Sequence, residues 1–61
     1  MKKKELQNIA KKIAHYEKII QNSTDEDEVR QAQYAIIDLS GSVDSLEDIT
    51  KIDEMVQDLL R

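Results

Sequence analysis

Large apolar residues recur at alternating intervals of three and four positions in three separate segments of this chain. This spacing places side chains on one face of an α-helix, where they pack against a neighbouring element. The 61 residues include no proline and only one glycine, so few positions interrupt a helix. We therefore predict an all-α protein that forms a single helical domain over residues 1–61.

The first predicted helix spans residues 3–21 and ends where polar side chains at 22–24 favour a turn. Ala10 and Ala14 flank its apolar stripe, and their small side chains allow another helix to approach closely. The stripe itself consists of Leu6, Ile9, Ile13, Tyr16 and Ile20.

The second predicted helix spans residues 25–40. Thr24 is the expected N-cap, because the carboxylates that follow it suit the positive end of the helix dipole. A capping box from Ser23 to Glu26 is the alternative. We expect the helix to end at Gly41, with this glycine in a left-handed conformation. Its apolar stripe is Val29, Ala32, Ile36 and Leu39.

The third predicted helix spans residues 46–60, with Ser45 as N-cap and Asp48 closing a capping box. Val43 is placed to pack over its first turn. Three helices of similar length with short loops most simply give a small antiparallel three-helix bundle. The alternative is a long helical hairpin, in which the second helix continues to Leu46 and a short third helix begins at Thr50. The third stripe consists of Ile49, Ile52, Val56, Leu59 and Leu60.

Charge is distributed unevenly along the chain. Residues 1–22 hold six lysines against two glutamates, a net charge of +4, whereas residues 23–61 carry a net charge of −8. We expect the basic helix to pack between the two acidic ones. The other interpretation is that Lys11, Lys12 and Lys18 bind nucleic acid. The overall charge of −4 and the lack of a regular alternation of aromatic residues with the lysines argue against it.

Nothing in the sequence indicates an enzyme. There is no cysteine, the single histidine is His15, and no cofactor motif is present. Serines at helix ends are explained by capping, so we predict no catalytic, cofactor-binding or metal-ligating residue. Glu17 lies close to the first apolar stripe, where we expect it to meet a cation from a neighbouring helix.

The absence of cysteine favours a reducing compartment, and no apolar run approaches the length needed to cross a bilayer. We therefore expect a soluble, cytoplasmic protein without a membrane partner.

The chain carries more apolar side chains than a bundle of this size can easily bury. Ile19, Ile37 and Leu60 each stand next to another large apolar residue, and Met55 lies at the edge of the third stripe. We predict a non-enzymatic protein interaction module that binds a partner protein or forms a homo-oligomer. The alternatives are a nucleic-acid-associated accessory protein and an antitoxin or immunity protein that covers a basic effector. The predicted partner-binding residues are Ile19, Ile37, Met55, Leu60, Lys11, Lys12 and Lys18.

Overall fold

The structure, a computed structural model, describes residues 2–61 and consists of three helices. Helix α1 spans Lys3–Asn22, α2 spans Glu26–Gly41 and α3 spans Leu46–Leu60. These bounds agree with the predicted helices to within one residue, and the all-α bundle is confirmed. The long-hairpin alternative is wrong, because α2 ends at Gly41 and α3 begins only at Leu46.

Helix α1 is the centre of the bundle. Both α2 and α3 pack against it, whereas α2 and α3 barely touch one another. Ala10 and Ala14 are buried in α1, as expected of small residues where helices approach closely. The basic helix therefore lies between the two acidic ones, as the charge distribution predicts. The core consists of Leu6, Ala10, Ile13, Ala14, Val43, Ile52 and Val56.

The start of α2 differs from the prediction. Asp25, not Thr24, is the N-cap, and its Oδ1 accepts a hydrogen bond from the Asp27 N–H at 3.0 Å. Ser23 Oγ accepts from the Asp25 N–H at 3.1 Å, so the capping box from Ser23 to Glu26 is also wrong. A carboxylate at the cap is favoured over a hydroxyl because it also interacts with the positive end of the helix dipole.

Ser45 is the N-cap of α3, as predicted, but its side chain makes no capping hydrogen bond. Within residues 2–61, no helix combines the length and the apolar character that crossing a membrane requires.

Gly41 does not adopt a left-handed conformation, so that prediction is wrong. It is the last residue of α2, and no residue between 2 and 61 has a positive φ. The helix ends instead through local hydrogen bonds. The Ser42 hydroxyl donates to the Leu39 carbonyl at 2.7 Å, and the Val43 N–H donates to the Ser40 carbonyl at 3.2 Å. These bonds satisfy terminal carbonyls without a glycine-specific turn.

Gly41→Ala should therefore stabilise the protein. An added Cβ meets no atom within 4 Å, and alanine loses less backbone entropy than glycine on forming a helix. We expect the free energy of unfolding in urea to rise by up to about 1 kcal/mol. The control is Ser42→Ala, which removes the bond to Leu39 and should lower stability by about 0.5–1 kcal/mol. A destabilised Gly41→Ala protein would instead indicate a positive φ at this position.

Candidate functional site

A groove runs between α2 and α3, because these helices pack on α1 without sealing against each other. Its volume is about 510 Å³, and α1 forms its floor. The apolar lining residues are Ile13, Ile36, Val43, Ile49, Ile52, Val56 and Leu60. The polar lining residues are Glu17, Gln21, Ser40, Asp53 and Gln57.

The groove stays open because the facing sides of α2 and α3 are polar at their margins. Helix geometry puts Ser40 beside the apolar stripe of α2, on the side that faces α3. Asp53 and Gln57 lie beside the stripe of α3, on the side that faces α2. Burying these side chains against each other would remove water from them without supplying partners, which is costly. Each helix therefore packs its narrow apolar stripe on α1.

The groove is acidic. Glu17 is half-buried in its floor and Asp53 is exposed on its wall, and no lysine or arginine of residues 2–61 lines it. Within residues 2–61, ion pairs join Arg30 to Asp27, Lys51 to Glu47 and Arg61 to Asp58, each between residues three or four positions apart, and none involves Glu17. The expectation that Glu17 meets a cation from a neighbouring helix is therefore wrong for this part of the chain. A lysine or arginine of a binding partner can therefore form an ion pair with Glu17.

Exposed apolar side chains also lie near the groove, on the two helices that form its walls. Leu46 is 80% exposed and lies one helical turn before Ile49, which lines the groove. Ile37 is 63% exposed and lies next to Ile36, farther out on the wall that α2 forms. Clustered apolar residues around a concave surface are typical of a binding site.

The apolar residues predicted to bind a partner lie on different surfaces. Leu60 is half-buried and lines the groove, with Ile37 at its edge. Met55 is half-buried against the core and faces a shallow depression between α1 and α3 that includes Ala10. Ile19 is half-buried in another depression, beside α2. The structure therefore places Leu60 in the lining of the groove and leaves Ile19, Ile37 and Met55 outside that lining.

The lysines predicted to bind a partner do not share one face. Lys11 and Lys18 border a depression over Leu59, on the side of α1 that faces α3. Lys12 is exposed, and it is offset from Lys11 by about 100° around the helix axis. Nothing in this arrangement favours the nucleic-acid interpretation.

The polar groove residues Gln21, Ser40, Asp53 and Gln57 were not predicted as site residues. The narrowness of the apolar stripes indicates these positions, because polar residues begin immediately beside each stripe. Between residues 2 and 61, no group of three histidine, cysteine, aspartate or glutamate side chains is placed to hold a metal ion. The chain matches no protein-family model, no curated protein and no solved structure.

Proposed function

We propose that this chain is a non-enzymatic protein interaction module that binds an amphipathic helix in the groove between α2 and α3. The observation that carries the proposal is the open groove itself, whose floor is apolar and whose flanks expose Ile37 and Leu46. A helix laid in such a groove presents apolar residues at intervals of three and four positions. The bound helix and the three helices of this chain together resemble a four-helix bundle, in which another helix covers each apolar stripe.

The charge of the groove indicates which helix it prefers. Glu17 and Asp53 are the charged residues that line it, and both are acidic. A lysine or arginine beside the apolar stripe of the incoming helix would form charge-assisted hydrogen bonds with them. A glutamate or aspartate at that position would place like charges together, which is unfavourable by several kcal/mol at close range. The expected ligand is therefore an amphipathic helix that carries a lysine or arginine beside its apolar stripe.

Titration with two synthetic helical peptides tests this proposal. Both carry the same leucine stripe, and one has lysines where the other has glutamates. Followed by nuclear magnetic resonance, the lysine peptide should bind saturably and shift the signals of Ser40, Asp53 and the side-chain amide of Gln57. The glutamate peptide should bind much more weakly.

A matched pair of variants locates the binding site. Gln57→Trp places a bulky ring on the groove wall and should abolish binding of the lysine peptide. Gln31→Trp makes the same change at an exposed position of α2 that does not line the groove, and should leave binding unchanged. Binding that survives Gln57→Trp, or no saturable binding of either peptide, would contradict the proposed function.

A further inference from the structure

We infer that the groove is occupied by the outer face of α2 from a second copy of this chain, an inference that rests on the helix-binding role proposed for the groove. Helix α2 is acidic overall, but one stripe along it has the required chemistry. Arg30, Tyr34 and Ile37 are spaced by four and three residues, so they form one stripe along α2. We call these three residues the α2 outer stripe.

The α2 outer stripe is free to meet a partner. Tyr34 and Ile37 are 61% and 63% exposed, and they face away from α1. Arg30 is held only by a 4.0 Å ion pair with Asp27, in which both side chains are largely exposed. Such surface pairs contribute little to stability, so Arg30 can turn to another carboxylate at little cost. The stripe thus offers a basic group followed by two large apolar side chains.

If a twofold axis parallel to the helices relates the two copies, the α2 outer stripe of each copy fits into the groove of the other. The two grooves then face each other, and the copies are offset sideways, perpendicular to the helices. Each α2 then lies between α2 and α3 of its partner, as a ridge in a groove. A twofold axis that is perpendicular to the helices and parallel to the plane through α2 and α3 would place α2 of one copy directly on α2 of the other. Both grooves would then stay empty.

The parallel axis also sets the heights of the contacting residues, because it produces no shift along the helices. Glu17 lies five residues before the end of α1, and Arg30 lies four residues after the start of α2. The short loop between these helices brings both residues to about the same height. Arg30 of one copy therefore reaches the level of Glu17 in the other. Tyr34 reaches the level of Ile13 in the groove floor by the same reasoning.

This arrangement accounts for two exposed surfaces at once. No cation from residues 2–61 lines the acidic groove and no helix of this part of the chain covers it, and the α2 outer stripe supplies Arg30, Tyr34 and Ile37. Sedimentation should show a dimer that dissociates on dilution, and the melting temperature should rise with protein concentration. Ile37→Asp, at an exposed position, should give a folded monomer whose melting temperature no longer depends on concentration.

Charge reversal in two separate variants provides the decisive measurement. Arg30→Glu alone and Glu17→Lys alone each place like charges at both symmetric contacts, so each should weaken dimerisation roughly tenfold or more. Mixing the two variants should restore a mixed dimer. At one contact the new glutamate meets the new lysine, and at the other the native Arg30 meets the native Glu17. Lys12→Glu, a reversal at an exposed position outside the groove, should leave dimerisation unchanged.

The outcomes separate this inference from the proposed function. A protein that stays monomeric at every concentration would overturn the second copy as occupant, while saturable binding of the lysine peptide would keep the groove as a helix-binding site. A dimer that neither variant weakens, or a mixture that forms no mixed dimer although both variants are folded by circular dichroism, would also overturn it. If the lysine peptide fails to bind even the Arg30→Glu variant, which leaves the groove unaltered, at a concentration where that variant is monomeric, the proposed function fails as well.

Discussion

Ile13→Ala should remove a large part of the stability of this protein. Ile13 is buried in α1, where α2 and α3 both pack, and it belongs to the core cluster. Removing most of a buried isoleucine side chain costs about 2–5 kcal/mol through lost apolar contacts and the cavity left behind. A domain of this length is expected to be stable by only about 3–9 kcal/mol, so the substitution removes a large part of the total. Urea denaturation followed by circular dichroism measures the loss.

The matched control is Ile37→Ala, the same substitution at a position that is 63% exposed. Little apolar contact is lost there, and alanine has the higher helix propensity, so stability should change by less than about 0.5 kcal/mol. Both variants are measured at a concentration low enough to keep the unmodified protein monomeric. Equal losses in the two variants would show that the burial of these residues differs from the structure.

Ala10→Leu should destabilise the protein by about 1–3 kcal/mol or more, because it adds a large side chain at a fully buried position. Ala10 is fully buried, at the side of α1 that faces Met55 on α3. A leucine there must push α3 away from α1 or adopt a strained rotamer, and either change also disturbs the neighbouring core. The decrease in melting temperature gives the size of the effect.

Lys12→Leu is the control for Ala10→Leu. It introduces the same side chain on the same helix, at an exposed position that no other helix covers. Leucine and lysine have similar helix propensities, so stability should remain nearly unchanged. If Ala10→Leu were as stable as this control, α1 and α3 would have to lie farther apart than the structure places them.

Helix bounds were predictable because local features determine them. Apolar residues at intervals of three and four positions define the three segments, and polar residues near 22–25 and 42–45 break them. The burial of Ala10 and Ala14 followed from their place beside the first apolar stripe, since only small side chains allow close helix packing.

Details of the helix ends were less predictable. Thr24 and Asp25 are both good N-caps, and the choice between them depends on which residue has the extended backbone that precedes the helix. Gly41 stands where a glycine often ends a helix in a left-handed conformation. Here the hydroxyl of Ser42 donates a hydrogen bond to the Leu39 carbonyl, and the helix ends without a left-handed residue. In both places neighbouring residues compete for the same role, and small energy differences decide the outcome.

The apolar periodicity and the charge distribution of the sequence predict three helices whose bounds lie within one residue of those observed, the first basic and the other two acidic. The open, acidic groove between α2 and α3 is evident only in the structure, in the way both helices pack on α1. The physical reason is that periodicity shows which face of a helix is apolar but not which neighbour covers it. Glu17 shows this clearly, since its place near the apolar stripe was evident from its spacing, whereas its position in an open groove depends on how two separate helices dock on a third.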